Sequence, residues 1–265
     1  MQRRVLGAGI LVAIMVGVGA PAFAEVKRII YTPVPVRLAP GYKPDAAFET
    51  LRSRFSDAVA KKDTAALLAL VAPGFVWTQN NVLTNEFDPG RDALHNFRVI
   101  FGFRALGKDE DGGVEGGPYW DALAALASDG SFSEATEGRH LICTPTSASI
   151  VDEEEFMQTR AKIEEPDEGA DWHFLLRSTV VTKAPTGNEA PVASLGLEAV
   201  PVLRSHPPVE EGKPAVPATH YEVLLPSGRA GWIPASAARR FQADRMCFAQ
   251  TAQGEWKIAI YDSAE

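Results

Sequence analysis

Two cysteines, Cys143 and Cys247, are the only ones among the 265 residues, and they constrain the folding of the chain more than any other feature. A bond between them would close a loop of about 100 residues and join the middle of the chain to its C-terminal end. Disulfides persist in oxidising compartments and are rare in the cytosol. If the protein is exported, we therefore expect a Cys143–Cys247 disulfide.

The first residues of the chain have the pattern of a secretory signal peptide. Arg3 and Arg4 form a short basic region, an apolar run follows from Val5, and Ala22-Phe23-Ala24 matches the small residues before a cleavage site. The run is too short for a stable membrane helix, which needs about 20 apolar residues. We expect cleavage of residues 1–24 after Ala24, a periplasmic or secreted protein, and no membrane span in the mature chain.

The charge of the chain limits its partners. Cleavage would remove Arg3 and Arg4 and change the formal net charge from −8 by two, to −10. An acidic surface repels the phosphate backbone of nucleic acids, so nucleic acid is not an expected partner. Anionic lipid headgroups are disfavoured for the same reason.

The order of the predicted elements indicates an α+β fold in two parts. Residues 25–44 are rich in proline and predict an extended lead-in. Residues 45–184 predict a helix-rich domain with antiparallel strands. After a turn-rich break at Ala184-Pro185-Thr186-Gly187, residues 190–265 predict short strands and no long helix. We therefore expect a helix-rich N-terminal region followed by a small β region.

Local signals predict where the helices begin. Asp45, Asp63 and Asp88 each precede a helical repeat of apolar residues, and aspartate is a good N-cap because its carboxylate accepts a backbone N–H of the first turn. The expected helices cover residues 45–62, 64–72 and 89–101, and one uninterrupted strand is expected at 172–182.

The strands after residue 190 carry a resemblance. An apolar strand at Val223 leads to a turn at Pro226-Ser227-Gly228, a basic residue and Gly231-Trp232. In this pattern Val200–Phe241 resembles bacterial SH3-like domains. The resemblance implies a small β-barrel. The strands after Arg240 either complete this barrel or return to the first half of the chain. The groove residues that the resemblance implies are Tyr221, Arg229 and Trp232.

A second resemblance covers the ends of the chain. From Phe48, two predicted helices joined at Lys62-Asp63 precede a strand that begins at Pro73-Gly74-Phe75. This order resembles the opening of the nuclear-transport-factor-like (SnoaL-type) cone fold, and Gly254 to Ile258 resembles its last strand. The resemblance implies a pocket in the N-terminal half, and its expected lining residues are Phe75, Trp77 and His95.

The common catalytic signatures are missing from the sequence. There is no Gly-x-Ser-x-Gly, no His-Glu-x-x-His, no phosphate-binding loop and no dinucleotide fingerprint. The acidic loop 109–115 lacks the ligand spacing of a calcium loop, and the five histidines have no metal-like spacing. We expect no metal and no cofactor. The sequence leaves open whether the chain is an enzyme and favours a non-catalytic role.

Two functions follow as hypotheses. The first is an exported, non-catalytic protein of the cell envelope that contacts peptidoglycan or a protein partner through Tyr221, Arg229 and Trp232. The alternative is a small-molecule-binding or lyase/hydrolase-like cone-fold protein with a pocket in its N-terminal half. A deep pocket with convergent polar groups would favour the alternative. A filled interior with a shallow aromatic groove would favour the first.

Overall fold

The computed structural model describes residues 29–79, 82–83, 88–103, 119–136, 140–163, 171–186, 189–208 and 216–264. The expected signal peptide, residues 1–24, lies outside these residues, and so does the acidic loop 109–115. The helices are α1 (Ala46–Ala60), α2 (Thr64–Leu68), α3 (Ala93–Ile100), α4 (Trp120–Ser128) and α5 (Glu153–Ile163). The strands are β1 (Val34–Leu38), β2 (Val71–Gln79), β3 (Val82–Leu83), β4 (Ser133–Thr136), β5 (His140–Thr144), β6 (Ala148–Ile150), β7 (Asp171–Leu175), β8 (Thr179–Thr182), β9 (Pro191–Leu195), β10 (Glu198–His206), β11 (His220–Leu224), β12 (Ala230–Pro234), β13 (Ala238–Arg240), β14 (Arg245–Gln250) and β15 (Trp256–Ser263).

Aspartate caps begin the first three helices. The carboxylate of Asp45 accepts the Phe48 N–H at 2.8 Å, and that of Asp63 accepts the Ala66 N–H at 3.0 Å, so both predicted helix starts are confirmed. The third prediction was wrong by four residues, because Asp92 and not Asp88 caps α3. Asp88 instead accepts the Gly90 N–H and closes a turn before the helix.

The second helix is shorter than its sequence pattern predicts. The pattern extends to Ala72, but α2 ends at Leu68 and the chain continues as β2. The cause is a long-range partner, since β2 pairs in parallel with β15 and the Ile258 N–H donates to the Leu70 carbonyl at 2.8 Å. Pro73 lies where the register of this pair shifts, a position that does not require the backbone N–H that proline lacks.

A six-stranded sheet forms the first layer of the fold. Its strand order is β3-β2-β15-β14-β5-β4, so the last two strands of the chain lie in its centre. Helix α3 packs against β2, and α1 contacts α4 and β15. Aromatic side chains fill the space between helices and sheet: the Phe48 ring lies 5.1–5.4 Å from the rings of Phe132, Phe248 and Trp256. The interior of this half is therefore filled.

A nine-stranded sheet forms the second layer. Its main path is β13-β7-β10-β11-β12-β8-β9, while β1 pairs with both β10 and β6. The predicted single strand at 172–182 is divided into β7 and β8, which lie on different sides of the β10–β12 group. The expected extended lead-in contains β1, whose Val34 and Val36 are buried.

The predicted fold class was wrong. Strands and not helices dominate the described residues, and there is no separate small SH3-like barrel among them. Strands that precede the break at 184–187 pair with strands that follow it, as β7 does with β10. The hairpin β14–β15 returns to the first sheet. Local periodicity shows that a segment is a strand, but it does not record which distant strand completes its hydrogen bonds.

The predicted disulfide pair is present. Cys143 and Cys247 lie opposite each other on the neighbouring strands β5 and β14, with their sulfur atoms at the bonding distance of 2.04 Å. The chain leaves the six-stranded sheet after β5 and returns to it with β14. Most strands of the nine-stranded sheet lie in the chain between β5 and β14 and form an inserted region. The disulfide joins the two strands that flank this region.

The disulfide fits an exported protein, because such bonds persist in oxidising compartments. Within the ranges that the structure describes, no helix combines the length and the apolar character needed to cross a bilayer.

Candidate functional site

A cleft of about 740 Å³ opens where β2 and β15 of the six-stranded sheet meet α3 and α4. We call it the Trp77 cleft. Side chains of α3 and Ala122 of α4 form one wall. The residues that define its opposite wall and its rim are Trp77, Phe101, Tyr119, Asp244, Tyr261 and Ser263.

The parallel pairing of β2 and β15 holds the aromatic wall. Trp77 and Tyr261 are register partners and therefore lie on the same face of the sheet. The indole Nε1–H of Trp77 donates to Ser263 Oγ at 3.4 Å, and the Ser263 hydroxyl donates to the Thr78 carbonyl at 3.2 Å. The Phe101 ring lies 4.7 Å from the ring of Tyr261. These contacts keep the indole in place within the wall.

Asp244 and Tyr261 form the polar part of the cleft. The Asp244 carboxylate accepts the Ala264 N–H at 2.9 Å, and both Asp244 and Tyr261 line the cleft. Burial, followed by the negative charge of Asp244, raises the pKa of Tyr261 far above its usual range. Tyr261 is therefore protonated at any physiological pH and is not available as a base.

The described lining of the Trp77 cleft carries negative charge. Asp244 is its one charged residue, and it contains no lysine, arginine or histidine. A second carboxylate, that of Asp262 in β15, is outside this lining, is buried, and accepts the Thr78 hydroxyl at 2.7 Å. Arg245 stands opposite Asp262 in the strand register and is not part of the lining.

Of the three residues expected in an N-terminal pocket, one lies in this cleft. Trp77 lines it, whereas Phe75 is buried in the core with its ring 5.3 Å from that of Phe97. His95 is exposed on α3, outside the lining. Sequence reasoning did not select Asp244 or Tyr261. The one signal in the sequence was the resemblance of the terminal strand to the cone fold, which connected the end of the chain to Trp77.

A second cleft, of about 360 Å³, lies on the nine-stranded sheet around His173, and we call it the His173 cleft. His173 is 2% exposed, and its Nδ1 atom makes no hydrogen bond and lies 3.7 Å from the Asp171 carboxylate. Burial lowers the pKa of His173 to about 4, although the charge of Asp171 opposes the shift. The Asp171 carboxylate is already paired with Arg240 at 2.9 Å.

The three groove candidates do not share a surface. Tyr221 packs on the inner core of the nine-stranded sheet and lines the His173 cleft. Trp232 lies on the opposite face of the sheet, where the guanidinium of Arg204 is 5.5 Å from its ring centre. Arg229 is exposed in the turn at the far end of the β11–β12 hairpin and donates to the Val192 carbonyl at 3.2 Å.

Within the described part of the chain, no three His, Cys, Asp or Glu residues come together as a metal site. Compared with models of known protein families, with curated proteins and with solved structures, the chain matches none. Function is therefore inferred from the chemistry of the two clefts.

Proposed function

We propose that this protein is a non-catalytic binding protein that holds a small organic molecule in the Trp77 cleft. The observation that carries the proposal is an aromatic wall, fixed by the pairing of β2 with β15, beside one oriented carboxylate. Binding sites for small molecules are typically clefts of about 300–1,000 Å³ with mostly apolar walls and a few placed polar groups. The Trp77 cleft, at about 740 Å³, lies within this range of volumes and contains both aromatic rings and a carboxylate.

A binding role is supported over a catalytic one by the groups that meet in the cleft. General acid–base chemistry needs a group whose pKa lies near the operating pH. Tyr261 is far from that condition, and Asp244 accepts a backbone hydrogen bond from Ala264. The interior above the six-stranded sheet is packed with aromatic rings, so the molecule binds at the open end of this half.

The resemblance to the cone fold stays a proposal, and one observation supports it. The two segments that carry it, around Trp77 and from Gly254 to Ile258, are more than half of the chain apart. They belong to β2 and β15 or adjoin them, and these strands are direct neighbours. We propose that the protein works in the periplasm or after secretion, where its disulfide is stable.

The hypothesis of a cell-envelope protein that contacts peptidoglycan or a protein partner through Tyr221, Arg229 and Trp232 stays a prediction. These residues lie on two faces and at one end of the nine-stranded sheet. A single ligand would not contact all three. The Trp77 cleft is therefore the better supported site.

The indole N–H signals of the tryptophans provide a direct test. We expect a library of small aromatic fragments, indole and phenol among them, to shift the Trp77 signal in ¹H–¹⁵N spectra of the disulfide-bonded protein. Trp256 is buried in the aromatic core and should keep its signal unchanged. The shift of Trp77 should saturate as fragment is added.

The matched variants are Trp77→Phe and Trp232→Phe, since each removes one indole. Fragment affinity should fall in Trp77→Phe and stay at the wild-type value in Trp232→Phe. Shifts confined to Trp232 would move the binding site to the nine-stranded sheet. If neither these fragments nor small cationic and neutral aliphatic probes shift the Trp77 signal, the proposal of a small-molecule site is wrong.

A further inference from the structure

Four aromatic residues line the Trp77 cleft: Trp77, Phe101, Tyr119 and Tyr261. Tyr119 is 46% exposed at the rim, while the other three are almost buried and show the cleft only part of their rings. The face of an aromatic ring carries partial negative charge and attracts a cation within about 6 Å of the ring centre. This wall therefore suits a small cationic group.

The carboxylate of Asp244 adds a full negative charge to this wall. A hydrogen bond from the Ala264 N–H holds one of its oxygen atoms at 2.9 Å. A carboxylate offers about four acceptor positions, so this bond leaves room for a donor from a ligand. No lysine, arginine or histidine is among the described lining residues, so none of these residues is a counter-ion for Asp244.

The His173 cleft shows the opposite arrangement. Its carboxylate, Asp171, has a partner within the cleft, because the guanidinium of Arg240 lies 2.9 Å away and both residues belong to the lining. A ligand cation there would have to displace Arg240. In the Trp77 cleft, by contrast, a bound cation would pair with Asp244 without displacing an arginine of the described lining.

We infer that the molecule held in the Trp77 cleft carries a small organic cation, a quaternary ammonium or a protonated amine, and that Asp244 is its counter-ion. The inference rests on the proposed function and specifies its ligand class. The aromatic side chains contact the alkyl groups around the cationic nitrogen, and Asp244 faces its positive charge. No covalent step is involved.

The experiment compares choline with 3,3-dimethylbutan-1-ol, a neutral molecule of the same shape. Both are titrated into the disulfide-bonded protein and followed by the Trp77 indole signal and by calorimetry. We expect choline to bind about tenfold more tightly than the alcohol, the range typical of a partly desolvated cation–π contact. Asp244→Asn should remove most of this preference and leave the affinity for the alcohol unchanged.

Two variants separate the contribution of Asp244 from a general change in charge or in folding. Asp57→Asn changes the net charge equally at an exposed position of α1 outside the cleft lining, and should keep wild-type preference. Tyr119→Leu removes the most exposed ring without changing the charge, and should weaken choline binding. Tyr119→Leu provides the test of the cleft if Asp244→Asn does not fold.

Each outcome decides a different statement. Equal affinity for choline and the alcohol would overturn the inferred ligand charge and leave the proposed binding function standing. The same conclusion would follow if aromatic fragments bound in the cleft while neither choline nor the alcohol bound. Unchanged choline binding in Asp244→Asn would remove Asp244 as the counter-ion. If choline, the alcohol and all fragments fail to shift Trp77, the proposed function itself is wrong.

Discussion

His173 shows how strongly the environment of one residue can change its chemistry. Its ring lies inside the nine-stranded sheet, 4.8 Å from the Tyr221 ring, with Asp171 on its own strand and Arg239 and Arg240 on β13. Burial disfavours the charged imidazolium and lowers the pKa of His173 to about 4. The side chain is therefore neutral in the folded protein at any pH well above 4.

This residue should make the stability of the protein sensitive to acid. The unfolded chain binds a proton at His173 near pH 6.5, whereas the folded protein does so only near pH 4. Between these values the unfolded state holds more protons, so the free energy of unfolding falls as the pH falls. At about 1.4 kcal/mol per pKa unit, we expect a loss of up to about 3 kcal/mol, measured by urea unfolding at pH 7 and pH 4.5.

The variant His173→Gln should lose this part of the pH dependence, because glutamine does not titrate. His95→Gln changes an exposed histidine on α3 and should keep the wild-type dependence. If His173→Gln showed the same loss between pH 7 and pH 4.5 as the wild type, burial of His173 would not be its source.

At the scale of elements, β12 and β8 lie unusually close together. A Cβ atom added at Gly231 would be 2.4 Å from Val181 Cγ1 and 3.3 Å from the Thr182 carbonyl oxygen. Only glycine leaves room for this approach, which buries Val181 in the core of the nine-stranded sheet. Gly231 therefore allows β12 to pack closely against β8.

Gly231→Ala should destabilise the protein by about 1–3 kcal/mol, since the methyl group has to displace a buried valine and the adjacent backbone. Urea unfolding at pH 7 measures the loss. The control is Gly74→Ala in β2, where an added Cβ meets no atom within 4 Å and stability should change little. Equal stability of the two variants would mean that β8 can move away from β12.

At the scale of the whole molecule, long-range contacts hold the two sheets together. The chain crosses from β5 into the nine-stranded sheet and back to β14, and the Cys143–Cys247 bond lies at this crossing. In addition, Arg239 of β13 pairs at 2.8 Å with Asp129, which follows α4. The inserted region is thus attached at its base and at one side.

Loss of the disulfide should lower the free energy of unfolding by up to about 4.7 kcal/mol, the chain-entropy value for a loop of about 100 residues. Urea unfolding with and without a reducing agent measures the effect. The double variant Cys143→Ala with Cys247→Ala should match the reduced wild type and be insensitive to the reducing agent. Unchanged stability on reduction would show that the side contacts alone hold the inserted region.

The sequence by itself determined the starts of the first two helices, the C-terminal hairpin turn and the cysteine pair. Asp45 and Asp63 begin helices because a cap needs only the N–H groups of the following turn. The C-terminal hairpin turns at Gly254, whose φ of +77° suits glycine. The disulfide followed from the compartment and from there being a single possible pair of cysteines.

Only the tertiary structure decided which strands pair, and with that where the site lies. The hydrogen bonds of a strand are completed by another segment at any distance along the chain, and alternation of apolar residues does not identify that segment. Trp77 comes from β2, whereas Asp244 and Tyr261 come from the end of the chain. They become one cleft because β2 pairs with β15 in the centre of the six-stranded sheet.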